Sequence, residues 1–154
     1  MSVLLQKALR PATIRLHLEA TDKDAAIREL LALIDDDEHL RDRAAAEEAL
    51  FAREISMSTG MGDGIAMPHA KTNTVDHLTM ALGLKAGGLD FDSADGEPAK
   101  IFFLTLSPAN KAGPHIQLLS EVSNIMRHAE AREAILKATS PEGVFALLTD
   151  GQWG

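Results

Sequence analysis

Two histidines stand where a ring nitrogen could do chemistry. His69 lies in the stretch Gly60-Met61-Gly62-Asp63-Gly64-Ile65-Ala66-Met67-Pro68-His69-Ala70-Lys71. Pro68 fixes its own φ and drives Met67 toward an extended conformation, so His69 is carried on stiff backbone. Ala66 and Ala70 beside it are small and leave the ring accessible. The glycines let the backbone approach a ligand or a partner protein. A histidine held in this way can act as a general base, a metal ligand or a nucleophile, because the neutral imidazole is well populated at neutral pH.

His115 follows Pro114 in the first turn of a predicted helix, and its spacing to Leu118 and Leu119 puts it on their inward face. A helix start offers free N–H groups and positive potential, which suit phosphate. Arg53 precedes the glycine stretch and is a candidate cation for an anionic group in transfer. Its competing role is that of a helix-end cation favoured by the macrodipole. If folding brings His69, His115 and Arg53 together, the set is a phosphoryl-transfer site.

Other motifs point elsewhere or nowhere. No Gly-Lys-Ser/Thr follows the glycines, so they are not an ATP-binding loop. Asp90, Asp92, Asp95 and Gly96 depart from calcium-loop spacing and have Ile101 where a twelfth-position Glu belongs; they are read as a solvated turn. Met57, Met61 and Met67 suit either an adaptable docking surface or ordinary loop packing. His17, His39, His77 and His128 are read as surface residues. A metal hydrolase using His69 and His115 lacks any His-Glu-x-x-His or comparable spacing.

Periodicity predicts the strands and helices around these residues. Thr13 to Ala20 alternates as a half-buried strand, with Ile14, Leu16, Leu18 and Ala20 on one face. Thr21 is the expected N-cap, with Asp24 completing a capping box, of an amphipathic helix from Asp22 to about Asp35. A second helix is expected from Glu38 to about Glu54. Ser56 to Gly64 reads as a loop, Leu78 to Leu84 as a strand ended by Gly87-Gly88, and Ile101 to Leu106 as a central strand covered on both faces. Helices are expected from Pro114, over Glu130 to Ala138, and over Pro141 to Leu148 with Ser140 as cap. The order predicts an α/β fold, a mixed β-sheet flanked by helices, in one domain over residues 1–154.

Composition narrows the function. Lys plus Arg number 15 against 23 Asp plus Glu, a formal net charge of −8, which argues against nonspecific nucleic-acid binding. With no cysteine there is no disulfide, thiolate metal site or cysteine nucleophile. No apolar run approaches the roughly 18 residues of a membrane span. The start of the chain, Met1 to Leu5, is too short and too weakly basic for a secretory signal, and a cytoplasmic location is expected.

The segment Gly64-Ile65-Ala66-Met67-Pro68-His69-Ala70-Lys71 resembles the signature of the enzyme IIA domains of the bacterial phosphoenolpyruvate-dependent phosphotransferase system, in the fructose/mannitol and nitrogen-regulatory branch. The resemblance runs from about Leu4 to Leu148 and takes in Arg53, Ser58-Thr59-Gly60, the Leu89 to Gly96 turn and the His115 helix. It implies that His69 is phosphorylated by the phosphocarrier HPr, or its nitrogen-type homologue, and passes the group on. His115 matches the second site histidine and Arg53 the site arginine. The implied fold is the same mixed sheet flanked by helices, and no cofactor or metal is implied. Met67 stands where isoleucine is common and Lys71 where arginine is common; neither removes a functional group from the expected chemistry, and lysine in place of arginine is expected to alter partner contacts. Partner IIB domains of this branch often use cysteine, so this chain is expected to be a free-standing IIA with a separate IIB protein or permease as recipient. Two other readings stay open: a regulatory IIA whose phosphorylation state controls binding to other proteins, and a binding module that is not phosphorylated at His69.

Overall fold

Ile101 to Leu106 is apolar at every position but Thr105, and such a strand is stable only where both faces are covered. In the computed structural model, which describes residues 3–38, 40–151 and 153, it lies in the middle of a six-stranded sheet. This strand, β6 (Ala99–Ser107), pairs antiparallel with β5 (Thr79–Leu89). Its other edge pairs in parallel with β3 (Ile65–Ala66) and β4 (His69–Lys71). The sheet order is β1-β5-β6-β3-β2, with β1 (Ile14–Arg15) parallel to β5 and β2 (Gly60–Gly62) antiparallel to β3. The mixed sheet expected from the sequence is the one that forms.

Alternate residues of β6 feed two cores. Phe102, Leu104 and Leu106 pack with α2 (Lys23–Glu38) and α3 (Arg43–Ser56). Ile101 and Phe103 pack on the opposite face with α1 (Val3–Ala8), α4 (Ala112–Met126), α5 (Ala129–Lys137) and α6 (Pro141–Asp150). Ser140 caps α6 by accepting the Gly143 N–H at 3.0 Å, as its position before Pro141 predicts.

Several boundaries differ from the sequence reading. Of Thr13 to Ala20, Ile14–Arg15 alone joins the ladder, although Ile14, Leu18 and Ala20 are buried as the alternation requires. The Leu18 N–H still reaches the Leu84 carbonyl of β5 at 2.9 Å, but beyond it the Glu29 carboxylate of α2 accepts the N–H groups of Glu19 and Ala20 at 2.9–3.1 Å and draws the chain off the sheet. Asp22, not Thr21, caps α2: its Oδ1 accepts the Ala25 N–H at 2.8 Å, placing a carboxylate at the positive helix end. The following helix starts at Arg43 rather than Glu38, because Asp42 caps it through the Ala45 N–H at 3.1 Å. The strand β5 runs on through Gly87 and Gly88 to Leu89 with a shift of register, and Gly88 at φ +78 takes up the irregularity. The helix α1 and the 3₁₀ turn Pro11–Thr13 had no counterpart in the sequence reading.

The expected loop from Ser56 to Gly64 contains a β-hairpin instead. Asp63 and Gly64, at φ +55 and +78, form the two-residue turn between β2 and β3, with Gly62 opposite Ile65. Three alternating glycines gave the stretch a loop composition and hid the Asp-Gly turn within it.

Candidate functional site

The strands β3 and β4 are two pieces of one track along β6, interrupted at Met67-Pro68. Pro68 has no N–H to give, and its carbonyl accepts the Thr105 N–H at 3.0 Å, while the Met67 N–H turns away to the Thr59 carbonyl at 3.0 Å. This places His69 opposite Thr105 and Lys71 opposite Ser107 at the end of the sheet. Ala70 points into the α2/α3 core. The stiffness predicted for the Met67-Pro68-His69 backbone is therefore built into the sheet edge.

His115, 4% exposed, comes to the same place from the first turn of α4. The two rings lie 5.4 Å apart, centroid to centroid, tilted by 54°. Arg53, in the last turn of α3, lines a cleft of about 430 Å³ with His69, Lys71 and His115; Ile116 and Leu119 form an apolar side. All three predicted site residues thus meet. The helix-start groups proposed for the anion contribute less directly, since α4 gives the cleft His115, Ile116 and Leu119 rather than Ala112 or Gly113. Arg53 also donates from Nη1 to the Met57 carbonyl at 2.8 Å, closing the end of α3, so the helix-end role and the cleft role coexist.

The hydrogen bonds define what each ring can do. His69 Nδ1 lies 2.8 Å from the Met67 carbonyl oxygen, which can only accept. The proton of the neutral ring is therefore on Nδ1, and the lone pair is on Nε2. Neither Nε2 is among the sealed, unpartnered side-chain atoms of the described residues. His115 Nδ1 lies 2.5 Å from the hydroxyl of Ser107, a residue with no exposed surface.

Electrostatics keep both rings neutral. Burial lowers the pKa of His69 below the ordinary 6.5; the Met67 hydrogen bond opposes this, Arg53 adds to it, and Glu54 weakly offsets it. His115 is pushed down to about 4 by burial first, then by His69 and Lys71. At neutral pH the site holds two uncharged imidazoles beside two cations.

Three contributors were missed or undervalued in the sequence. Ser107 touches His115 across the sheet edge, a contact that no local motif announces. Lys71, read as a change in partner contacts, lies in the cleft. Glu54 is buried and accepts both the N–H and the hydroxyl of Thr59, at 2.8 and 2.7 Å, while pairing with Lys23 at 3.0 Å. It fixes the turn that leads from Arg53 to β2. Its position beside Arg53 was the available signal.

The remaining candidates separate. Met67 is buried, whereas Met57 and Met61 are 70% and 54% exposed. Asp95 accepts the N–H groups of Asp63 and Glu97, each at 3.0 Å, and Asp90 accepts that of Asp92 at 3.0 Å, so the acidic stretch builds turns. His17 and His77 are exposed and His128 is half-buried; His39 lies outside the described residues.

The family described as "Phosphoenolpyruvate-dependent sugar phosphotransferase system, EIIA 2" matches residues 7–151. The chain belongs to this EIIA family. Its likeness to a fructose-specific EIIA component of Haloferax volcanii is 41% identity, covering 89% of each chain. It is 34% identical, over 94% of its length, to a fructose-specific EIIABC component of Bacillus subtilis, and spans 23% of that longer protein. Among solved structures, the nitrogen regulatory protein IIA-Ntr of Neisseria meningitidis matches with a TM-score of 0.88 and 33% identity, over 95% of this chain and 99% of that one. The Escherichia coli IIA of the mannitol system, solved in complex with its phosphorylated IIB enzyme, shares the fold at a TM-score of 0.79 and 22% identity, over 92% of this chain and 97% of that one. EIIA proteins are phosphotransfer components, of sugar systems or of the nitrogen-regulatory kind. No helix among the described residues of this EIIA is long and apolar enough to cross a membrane.

Proposed function

We propose that this EIIA accepts a phosphoryl group from phospho-HPr on Nε2 of His69 and passes it to a separate IIB protein or permease of a sugar phosphotransferase system, in the cytoplasm. The observation that carries the reading is the Nδ1–H of His69 held on the Met67 carbonyl, which leaves Nε2 as an oriented lone pair in an open cleft. In the transfer a bond forms between phosphorus and His69 Nε2 as the bond between phosphorus and the donor's histidine nitrogen breaks. The phosphohistidine then releases the group to the recipient by the same displacement. The loose transition state needs positioning and positive charge more than covalent help. Arg53 and Lys71 supply the charge, and His115 donates a hydrogen bond to a phosphoryl oxygen.

A regulatory role is the second reading, in which phosphorylation of the same histidine controls binding to other proteins. The extent of the likeness to the Neisseria IIA-Ntr favours it. A neighbouring gene for a IIB/IIC permease would support transport, and a nitrogen sigma-factor cluster would support regulation.

The test is intact mass after incubation with phosphoenolpyruvate, enzyme I and HPr, with His69→Ala in parallel. The expected result is one acid-labile phosphoryl group on the wild type alone. A folded wild type that gains none with several HPr homologues contradicts the reading and leaves a binding module.

A further inference from the structure

Ser107 ends β6 as a fully buried residue, and its hydroxyl lies 2.5 Å from His115 Nδ1. A buried O–H that does not donate forfeits a hydrogen bond already lost to water. Among the described residues the Ser107 hydroxyl has no other hydrogen bond than the one to His115. Donation from Ser107 to Nδ1 avoids that loss, and it puts the proton of the neutral His115 ring on Nε2. The backbone of Ser107 is fixed in the same place. Its carbonyl accepts the Thr72 N–H at 2.8 Å, and the residue stands in register with Lys71 on β4. The strand that carries His69 and the residue that holds His115 thus belong to one rigid ladder.

We propose that Ser107 is a positioning residue that holds His115 as the Nε2–H tautomer, so that the two neighbouring histidines present opposite faces of the same chemistry: a lone pair at His69 Nε2 and a proton at His115 Nε2. The inference rests on the phosphoryl-transfer reading for its purpose, though not for its geometry. The Met67 carbonyl enforces one tautomer and the Ser107 hydroxyl the other. Were His115 to take the opposite tautomer, its Nε2 lone pair would face the anionic oxygens of an incoming phosphoryl group, and the Ser107 proton would have no acceptor.

The proposal is tested first on the unphosphorylated wild type by long-range nitrogen–proton NMR of the imidazoles. The expected pattern is a protonated Nδ1 at His69 and a protonated Nε2 at His115. A protonated Nδ1 at His115 overturns the proposal whatever the protein's activity, so this result is separable from failure of the phosphorylation reading. The second arm measures phosphoryl uptake at His69 in Ser107→Ala, His115→Ala and the double variant. Ser107→Ala is expected to slow uptake about tenfold through a loosened ring. It should cause no further loss in the His115→Ala background, because it acts through that ring. Additive losses, or a Ser107→Ala variant as fast as wild type, contradict the positioning role.

Discussion

Two clefts lie at opposite ends of β6, and the larger of the two carries less chemistry. The cleft beside the start of β6, about 620 Å³, is bordered by Asp63, Asp95, Glu97, Lys100, Arg132 and Glu133. Its charges are of both signs, and its best-held groups are already spent: Asp95 caps two turns, and Arg132 donates to the Met126 carbonyl at 2.6 Å. The cleft at the far end, about 430 Å³, holds two neutral histidines with one nitrogen of each fixed by a hydrogen bond, next to Arg53 and Lys71. Size does not distinguish a reactive site. What does is a polar group kept partly desolvated, with a known proton and an unused lone pair.

Substitutions should affect the two clefts unequally. The largest effect is expected from His69→Ala, which should abolish phosphoryl uptake, while Lys100→Ala and Glu133→Gln in the larger cleft should leave the rate within about twofold of wild type; phosphate incorporation over time checks all three. Next comes His115→Ala, expected to fold and to lose about a hundredfold in transfer rate, the order seen when one donor to a developing charge is removed. Wild-type transfer from this variant would make the second histidine a packing residue.

Arg53→Ala should slow transfer about tenfold, because one charge-assisted contact is lost while Lys71 remains. It also carries a pH signature. His69 must be neutral to attack, so the rate falls on acidification through its depressed pKa. Arg53 contributes to that depression after burial. Removing it should move the acid limb of the rate profile to higher pH, which a pH series of initial rates would show.

A smaller effect concerns stability. His115 titrates near 6.5 in the unfolded chain and about 4 in the native one, so between those values the unfolded state binds more protons. The stabilisation from its neutral, buried form is fully present above 6.5, declines as pH falls, and is gone below about 4. Urea midpoints at about pH 7.5 and about pH 5 should differ, and the difference should shrink in His115→Ala.

The two ends of β6 also show what a sequence reveals. The strand itself was legible, because a run of apolar residues has few other uses. The helix from Pro114, with His115 on its buried face, was legible for the same reason of spacing. The convergence of His69, His115 and Arg53 was an assumption until the parallel pairing of β4 with β6 set one beside the other. Ser107 was not legible as a site residue, since its link to His115 exists only once the end of β6 and the start of α4 are folded together; Glu54 offered no signal but its place beside Arg53, because its bond to Thr59 forms across a turn. Boundaries failed where two local signals competed. Thr21 and Asp22 can both cap a helix, and the tertiary position of α2 selected Asp22. Composition called residues 56–64 a loop, while the Asp63-Gly64 pair within it made a hairpin that delivers Ile65 to β6. The glycine signal was right about conformation and wrong about regularity.

Nitrogen-15 NMR of the phosphorylated protein resolves which ring and which nitrogen carries phosphorus. The expected result is a single phosphoryl group on Nε2 of His69, with Nδ1 still protonated and held by the Met67 carbonyl. Phosphorus on Nδ1 of His69, or on His115, would contradict it.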